Sequence, residues 1–103
     1  MNYDNNTPIY SQLAMLMKID MFSGKLKSGE RLLSVRDLAV EFKVNPNTVQ
    51  RAFNELEEEG LVFTERTNGR FVTKDNKLIE RHRKQYAKEL TKEYKKKMKE
   101  IGF

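Results

Sequence analysis

The chain has 103 residues, 38% of them apolar and 34% charged, with no Cys, no Trp and one His, so it can fill one small core plus an extra element, not two cores. Without Cys there is no disulfide, thiolate zinc site, iron–sulfur cluster or cysteine nucleophile, and His82 alone leaves no His–His metal pair and makes a histidine triad hard to build. The net charge of +5 is uneven: residues 1–73 carry 9 Lys and Arg against 10 Asp and Glu, and residues 74–103 carry 11 against 5.

Along the chain, Thr7-Pro8 predicts a helix start, with Thr as cap and Pro at the first position, where no amide donor is needed. Ile9, Leu13, Leu16 and Met17 recur at helical spacing, and Gly24 is a left-handed stop. Leu26 and the turn Lys27-Ser28-Gly29-Glu30 follow. Ser34-Val35-Arg36-Asp37 opens a second helix of about two turns in a capping-box-like pattern, with Val35, Leu38, Ala39 and Phe42 on one face. Lys43-Val44-Asn45 breaks it, and Asn45-Pro46 caps and starts a third helix that runs to Glu59 and closes at Gly60.

That third helix has a core face of Val49, Ala52, Phe53 and Leu56. Its other face, Asn47, Gln50, Arg51 and Asn54, is polar without the Lys and Glu that solvation alone normally selects. Leu61–Arg66 and Arg70–Thr73 read as strands of a hairpin joined by Thr67-Asn68-Gly69, in which Asn-Gly is a strong turn signal. After Lys74-Asp75 a single charged helix is expected. It carries a narrow apolar stripe of Ile79, Tyr86, Leu90, Tyr94, Met98 and Ile101, whose steps of four suit a packed interface with a second copy better than a long coiled coil. His82 beside this stripe reads as a surface or interface residue, and the tail lysines Lys95-Lys96-Lys97 and Lys99 read as a solvated face, with direct DNA contact as the alternative.

Apolar runs are short (Leu61-Val62-Phe63; Leu13 to Met17), so no membrane span or secretory core is expected, and Met1-Asn2-Tyr3-Asp4 lacks the basic residues of a targeting peptide. The expectation is a soluble, cytoplasmic protein.

Helix, short helix, tight turn, helix and hairpin is the element order of a winged helix-turn-helix, whose third helix enters the major groove. Asn and Gln amides can pair with adenine and Arg with guanine, while the amides at a helix start, with Thr48, suit phosphate. No nucleophile–base pair, carboxylate dyad, metal cluster or phosphate loop appears at a recognisable spacing, so neither enzyme chemistry nor a cofactor is expected.

The segments PIYSQL, SGKLKSGERLLSVRDLAVEFKVNPNTVQRAFNELEEEGLV and GRFV, from Thr7 to Thr73, closely resemble the DNA-binding domain of the GntR family of bacterial regulators. The short C-terminal part resembles its YtrA-type subfamily, which lacks large effector domains. The resemblance implies a DNA contact for Arg36, base and phosphate contacts for Asn45, Asn47, Thr48, Gln50 and Arg51, and wing contacts for Asn68, Gly69 and Arg70. The chain departs from the family pattern in three places. Leu33 stands where Pro is usual, Gln50 where a basic residue is common, and Thr67-Asn68-Gly69-Arg70 replaces the usual Gly-Arg-Gly-Thr of the wing.

The expected fold is mostly α with a small β-hairpin. A winged helix-turn-helix over residues 1–74 is followed by an amphipathic dimerisation helix over residues 75–103, and a chain ending at Asp75 is expected to stay folded. The expected function is a dimeric repressor of a palindromic operator in double-stranded DNA, with any small-molecule effector confined to a pocket at the dimer interface. A winged protein-interaction module whose basic tail docks an acidic partner is the second reading.

Overall fold

The computed structural model describes residues 7–103; the stretch Met1-Asn2-Tyr3-Asp4 lies outside the described residues. The order is α1 (Ile9–Ser23), α2 (Val35–Phe42), α3 (Pro46–Glu58), β1 (Val62–Glu65), β2 (Gly69–Val72) and α4 (Asn76–Glu100), a winged helix-turn-helix followed by one long helix. Pro8 is the N-cap of α1 and not its first helical residue, because its ψ of 142° lies outside the helical well. Its carbonyl accepts from the amides of Ser11 and Gln12 at 3.1 and 3.2 Å. Gly24 ends α1 at φ 82°. The face that α1 buries is Leu13, Ala14, Met17 and Met21, rotated from the expected one, so that Ile9 stays 44% exposed.

The other helix starts follow their sequence signals. Ser34 Oγ accepts the Asp37 amide at 3.1 Å, and Asn45 Oδ1 accepts the Asn47 amide at 2.8 Å. Between them Lys43 takes a left-handed conformation (φ 55°) and the Val44 amide returns to the Ala39 carbonyl at 3.0 Å, closing α2 and redirecting the chain into α3. Val49, Ala52, Phe53 and Leu56 of α3 are completely buried against α1 and α2.

The hairpin is antiparallel, with Val62 opposite Val72 and Glu65 opposite Gly69. Its loop is Arg66-Thr67-Asn68, one residue earlier than the Asn-Gly signal suggests. A two-residue turn of that kind needs positive φ at both central residues. Here Gly69 has φ 103° but Asn68 does not share it; the Asn68 amide instead donates to the Glu65 carbonyl at 3.3 Å. A third segment, Glu30 to Leu32, which begins at the last residue of the expected turn, lines the other edge of β2. The Leu32 amide donates to the Arg70 carbonyl at 2.8 Å, the Val72 amide to the Glu30 carbonyl at 2.9 Å, and Arg31 bridges Phe71.

In α4 the apolar stripe divides. Leu78 and Ile79 pack on the core, and Tyr86 meets the Phe22 ring of α1 at 6.0 Å. Glu59, past the end of α3, pairs with Lys18 of α1 at 2.7 Å and lies 3.4 Å from His82 of α4. Leu90, Tyr94 and Ile101 remain 48%, 63% and 70% exposed, with Met98 half-buried.

The core therefore continues past residue 75. A chain ending at Asp75 loses Leu78 and Ile79 and is expected to be less stable by about 2–4 kcal/mol. A chain ending at Glu89 keeps them and is expected to match the full chain at protein concentrations too low for copies to pair. Urea unfolding of the three lengths measures this difference.

Candidate nucleic-acid interface

The polar side of α3 faces away from the core because its opposite side is buried, and each polar residue is held differently. Asn45 spends its carbonyl oxygen on the cap, which leaves its NH2 outward; Asn47 beside it is exposed. Thr48 is half-buried, its amide donating to the Asn45 carbonyl at 2.9 Å. Arg51 is exposed at the rim, its guanidinium 4.1 Å above the Tyr10 ring of α1, a cation–π contact that fixes its direction. Arg36, in the first turn of α2, is exposed and has no ion-pair partner among the described residues.

Gln50 and Arg70, read separately in the sequence as helix and wing positions, form one unit. The Arg70 Nη2 donates to Gln50 Oε1 at 3.2 Å, and its Nε donates to Glu57 Oε1 at 3.3 Å. Its guanidinium lies over the buried Phe53 ring, 4.8 Å from the ring centre. Thr64 of β1 donates to the same Glu57 oxygen. A guanidinium can only donate, so the Gln50 oxygen must face Arg70 and the Gln50 NH2 must point the other way. It donates to Asn54 Oδ1 at 2.9 Å, which turns the Asn54 NH2 outward as a donor. Arg70 thus lies half-buried on α3 and not at the tip of the hairpin.

At the tip, the Asn68 side chain donates to Glu65 Oε2 at 3.0 Å. Gly69 is required by its φ of 103°; a Cβ there would lie 3.3 Å from Arg31 Nε, a contact that the exposed arginine side chain can relieve by a small shift. Arg31, an exposed cation against the start of β2, was not among the residues singled out from the sequence. Its only signal was a charge beside a turn, and pairing across the sheet edge is what brings it to the wing. Among the described residues no group of His, Cys, Asp and Glu could hold a metal ion.

Comparison with known proteins matches this geometry to a family. The sequence model of "Bacterial regulatory proteins, gntR family" covers residues 9–72. The uncharacterized HTH-type transcriptional regulator YhcF of Bacillus subtilis is 34% identical over 100 residues, covering 97% of this chain and 83% of that protein. The HTH-type transcriptional repressor YtrA of B. subtilis is 42% identical over 73 residues, covering 71% of this chain and 56% of the repressor. Among solved structures, a GntR family transcriptional regulator from Listeria monocytogenes superposes with a TM-score of 0.89 at 38% identity, over 97% of this chain and 88% of that one.

The Gln50–Arg70 unit has a direct signature. Arg70→Ala should release the Gln50 side chain, giving faster exchange of its amide protons by NMR and a looser hairpin, with α3 intact. Asn45→Ala should cost about 1 kcal/mol of stability through loss of the cap, measured by denaturation.

Proposed function

The chain belongs to the gntR family of bacterial regulatory proteins, and on that premise we propose that it is a sequence-specific DNA-binding repressor acting as a homodimer on a palindromic operator. The observation that carries this reading is the outward side of α3. Asn47, Gln50, Arg51 and Asn54 are amide and guanidinium groups on a helix whose opposite side is locked into the core, a rigid donor–acceptor surface of the kind the major groove can be read with. Asn45 and Thr48 sit at the helix start, where amides and dipole favour a phosphate. Arg36 is free to reach the backbone. Asn68 and Gly69 at the hairpin, with Arg31 beside them, supply the wing contact, and Arg70 acts through Gln50 by fixing its orientation. The repressor sense is supported by the name of the B. subtilis relative.

The winged body, through residue 74, supplies the reading surface and the helix from residue 75 the pairing surface. Leu90, Tyr94, Met98 and Ile101, beyond the part of α4 that packs on α1, form the interface with a second copy; Ile79 and Tyr86 anchor the helix that presents them. Pairing makes the second half-site encounter effectively intramolecular, raising apparent affinity by roughly 10²–10⁴-fold. Half-sites are then expected about 10 bp apart or a multiple of that. Among the described residues no helix is long and apolar enough to cross a membrane, which agrees with a cytoplasmic regulator.

Selection of bound sites from a random duplex pool tests the reading, and recovery of no preferred sequence would overturn it. On the recovered site Asn47→Ala and Gln50→Ala should each cost about 1–3 kcal/mol while non-specific binding changes little. Arg36→Ala should weaken all sequences alike and make the salt slope shallower by about one unit. Leu90→Asp should give a monomer by sedimentation that binds a palindrome no better than a half-site.

A further inference from the structure

The cations of α4 are sorted by face. From Lys77 through Arg81, Lys84, Lys88, Lys92 and Lys95 to Lys99 the steps are four, three, four, four, three and four residues. At about 100° per residue these seven side chains fall within an arc of about 80° and run for about 33 Å along the helix. All seven are exposed, and none makes an ion pair among the described residues. The carboxylates Glu80, Glu89, Glu93 and Glu100 lie outside this arc. The two ion pairs within α4 use Arg83 with Glu80 and Lys97 with Glu93, so both neutralised cations are off the stripe. The groove along its first half is lined by α4 residues alone, so no other element covers it.

A helix face selected only for solvation normally mixes the two signs, because Glu and Lys four residues apart stabilise the helix. Here seven like charges are kept together at a cost in mutual repulsion.

We propose that this stripe is a second nucleic-acid surface, which binds the phosphate backbone of duplex DNA without regard to sequence. Charge complementarity supports that occupant. The cations rise by about 4.5–6 Å at each step, and they face a polymer that carries one negative charge per about 1.7 Å of its axis. Six of the seven are Lys, a point charge suited to backbone and not to paired reading of base edges. The rest of the chain needs such a surface. Residues 1–73 have slightly more acidic than basic groups, yet the attraction of a protein to DNA in general comes almost entirely from cations on phosphates.

The arrangement disfavours a lipid surface. A helix lying in a membrane buries its apolar face with lysines at the flanks. In α4 the apolar side is nearly opposite the stripe, and Ile79 and Tyr86 on it are already packed on the chain's own body.

The inference extends the reading of the chain as a DNA-binding regulator, and the two can fail separately. The full chain carrying Lys84→Gln, Lys88→Gln and Lys92→Gln is compared with an off-stripe triple, Arg83→Gln, Lys96→Gln and Lys97→Gln, after circular dichroism shows equal helix content. Binding to a random-sequence duplex is followed against salt. The stripe triple should make the slope of log K on log salt shallower by about 2–3 units, at about 0.9 for each phosphate no longer neutralised. The off-stripe triple should leave the slope in place, and Lys→Arg at the three stripe positions should restore it. The sequence recovered by site selection should be the same for all.

An unchanged slope in the stripe triple overturns the proposal. So does tighter binding of the full chain to phosphatidylserine-containing vesicles than to duplex at equal salt. A slope change with no recovered consensus would remove the sequence-specific reading and leave the stripe standing.

Discussion

The completely buried side of α3 is the constraint on which the remaining geometry depends. Val49, Ala52, Phe53 and Leu56 admit no water, and Phe53 is the largest fully enclosed side chain of the core, followed by Leu13, Leu56 and Leu61. Truncating an aromatic in such a site typically costs about 3–5 kcal/mol, a large share of a small domain's whole stability. α3 therefore cannot rotate about its axis. The direction of Asn47, Gln50, Arg51 and Asn54 is set by what lies on the other side of the same helix. The short α2 and the left-handed Lys43 do the rest by fixing where α3 begins.

The hairpin is bound to that helix by more than its strand pairing. Arg70 covers the Phe53 ring, donates to Glu57 and Gln50, and so carries the position of β2 directly to α3. Because these charged bonds are half-buried, they are worth more than exposed pairs, and they define a direction of donation that ends at Asn54. On the opposite edge of β2 the segment Glu30 to Leu32 adds two backbone bonds, so both sides of the wing are supported. A wing held this way is a rigid companion to the reading helix.

α4 serves several surfaces with one helix. Its first turns close the core with Leu78 and Ile79, and its attachment is reinforced by Glu59, which meets Lys18 and His82. In its later turns Leu90, Tyr94 and Ile101 stay exposed, with nothing among the described residues to cover them. Its remaining face carries the unpaired cations. The excess positive charge of the protein thus lies outside the winged body, on a helix exposed along most of its length.

Local signals in the sequence determined the element order, the caps at Ser34 and Asn45, the stop at Gly24, the buried face of α3 and the family resemblance. Each rests on interactions within a few residues, so a pattern in the chain carries the information. The apolar stripe of residues 79–101 was likewise legible, as were the residues of the polar face of α3. Contacts between distant residues decided the rest. Spacing could not foresee that Arg70 folds onto Gln50 and Glu57, or that Arg31 meets Gly69 across a sheet edge. Nor could it foresee that Ile79 and Tyr86 pack on the chain's own body while Leu90, Tyr94 and Ile101 do not. Even the hairpin loop lies one residue earlier than the Asn-Gly signal suggests, with Gly69 opposite Glu65 and the Asn68 amide on the Glu65 carbonyl. Periodicity states which side chains share a face, and only the packed chain states what that face meets.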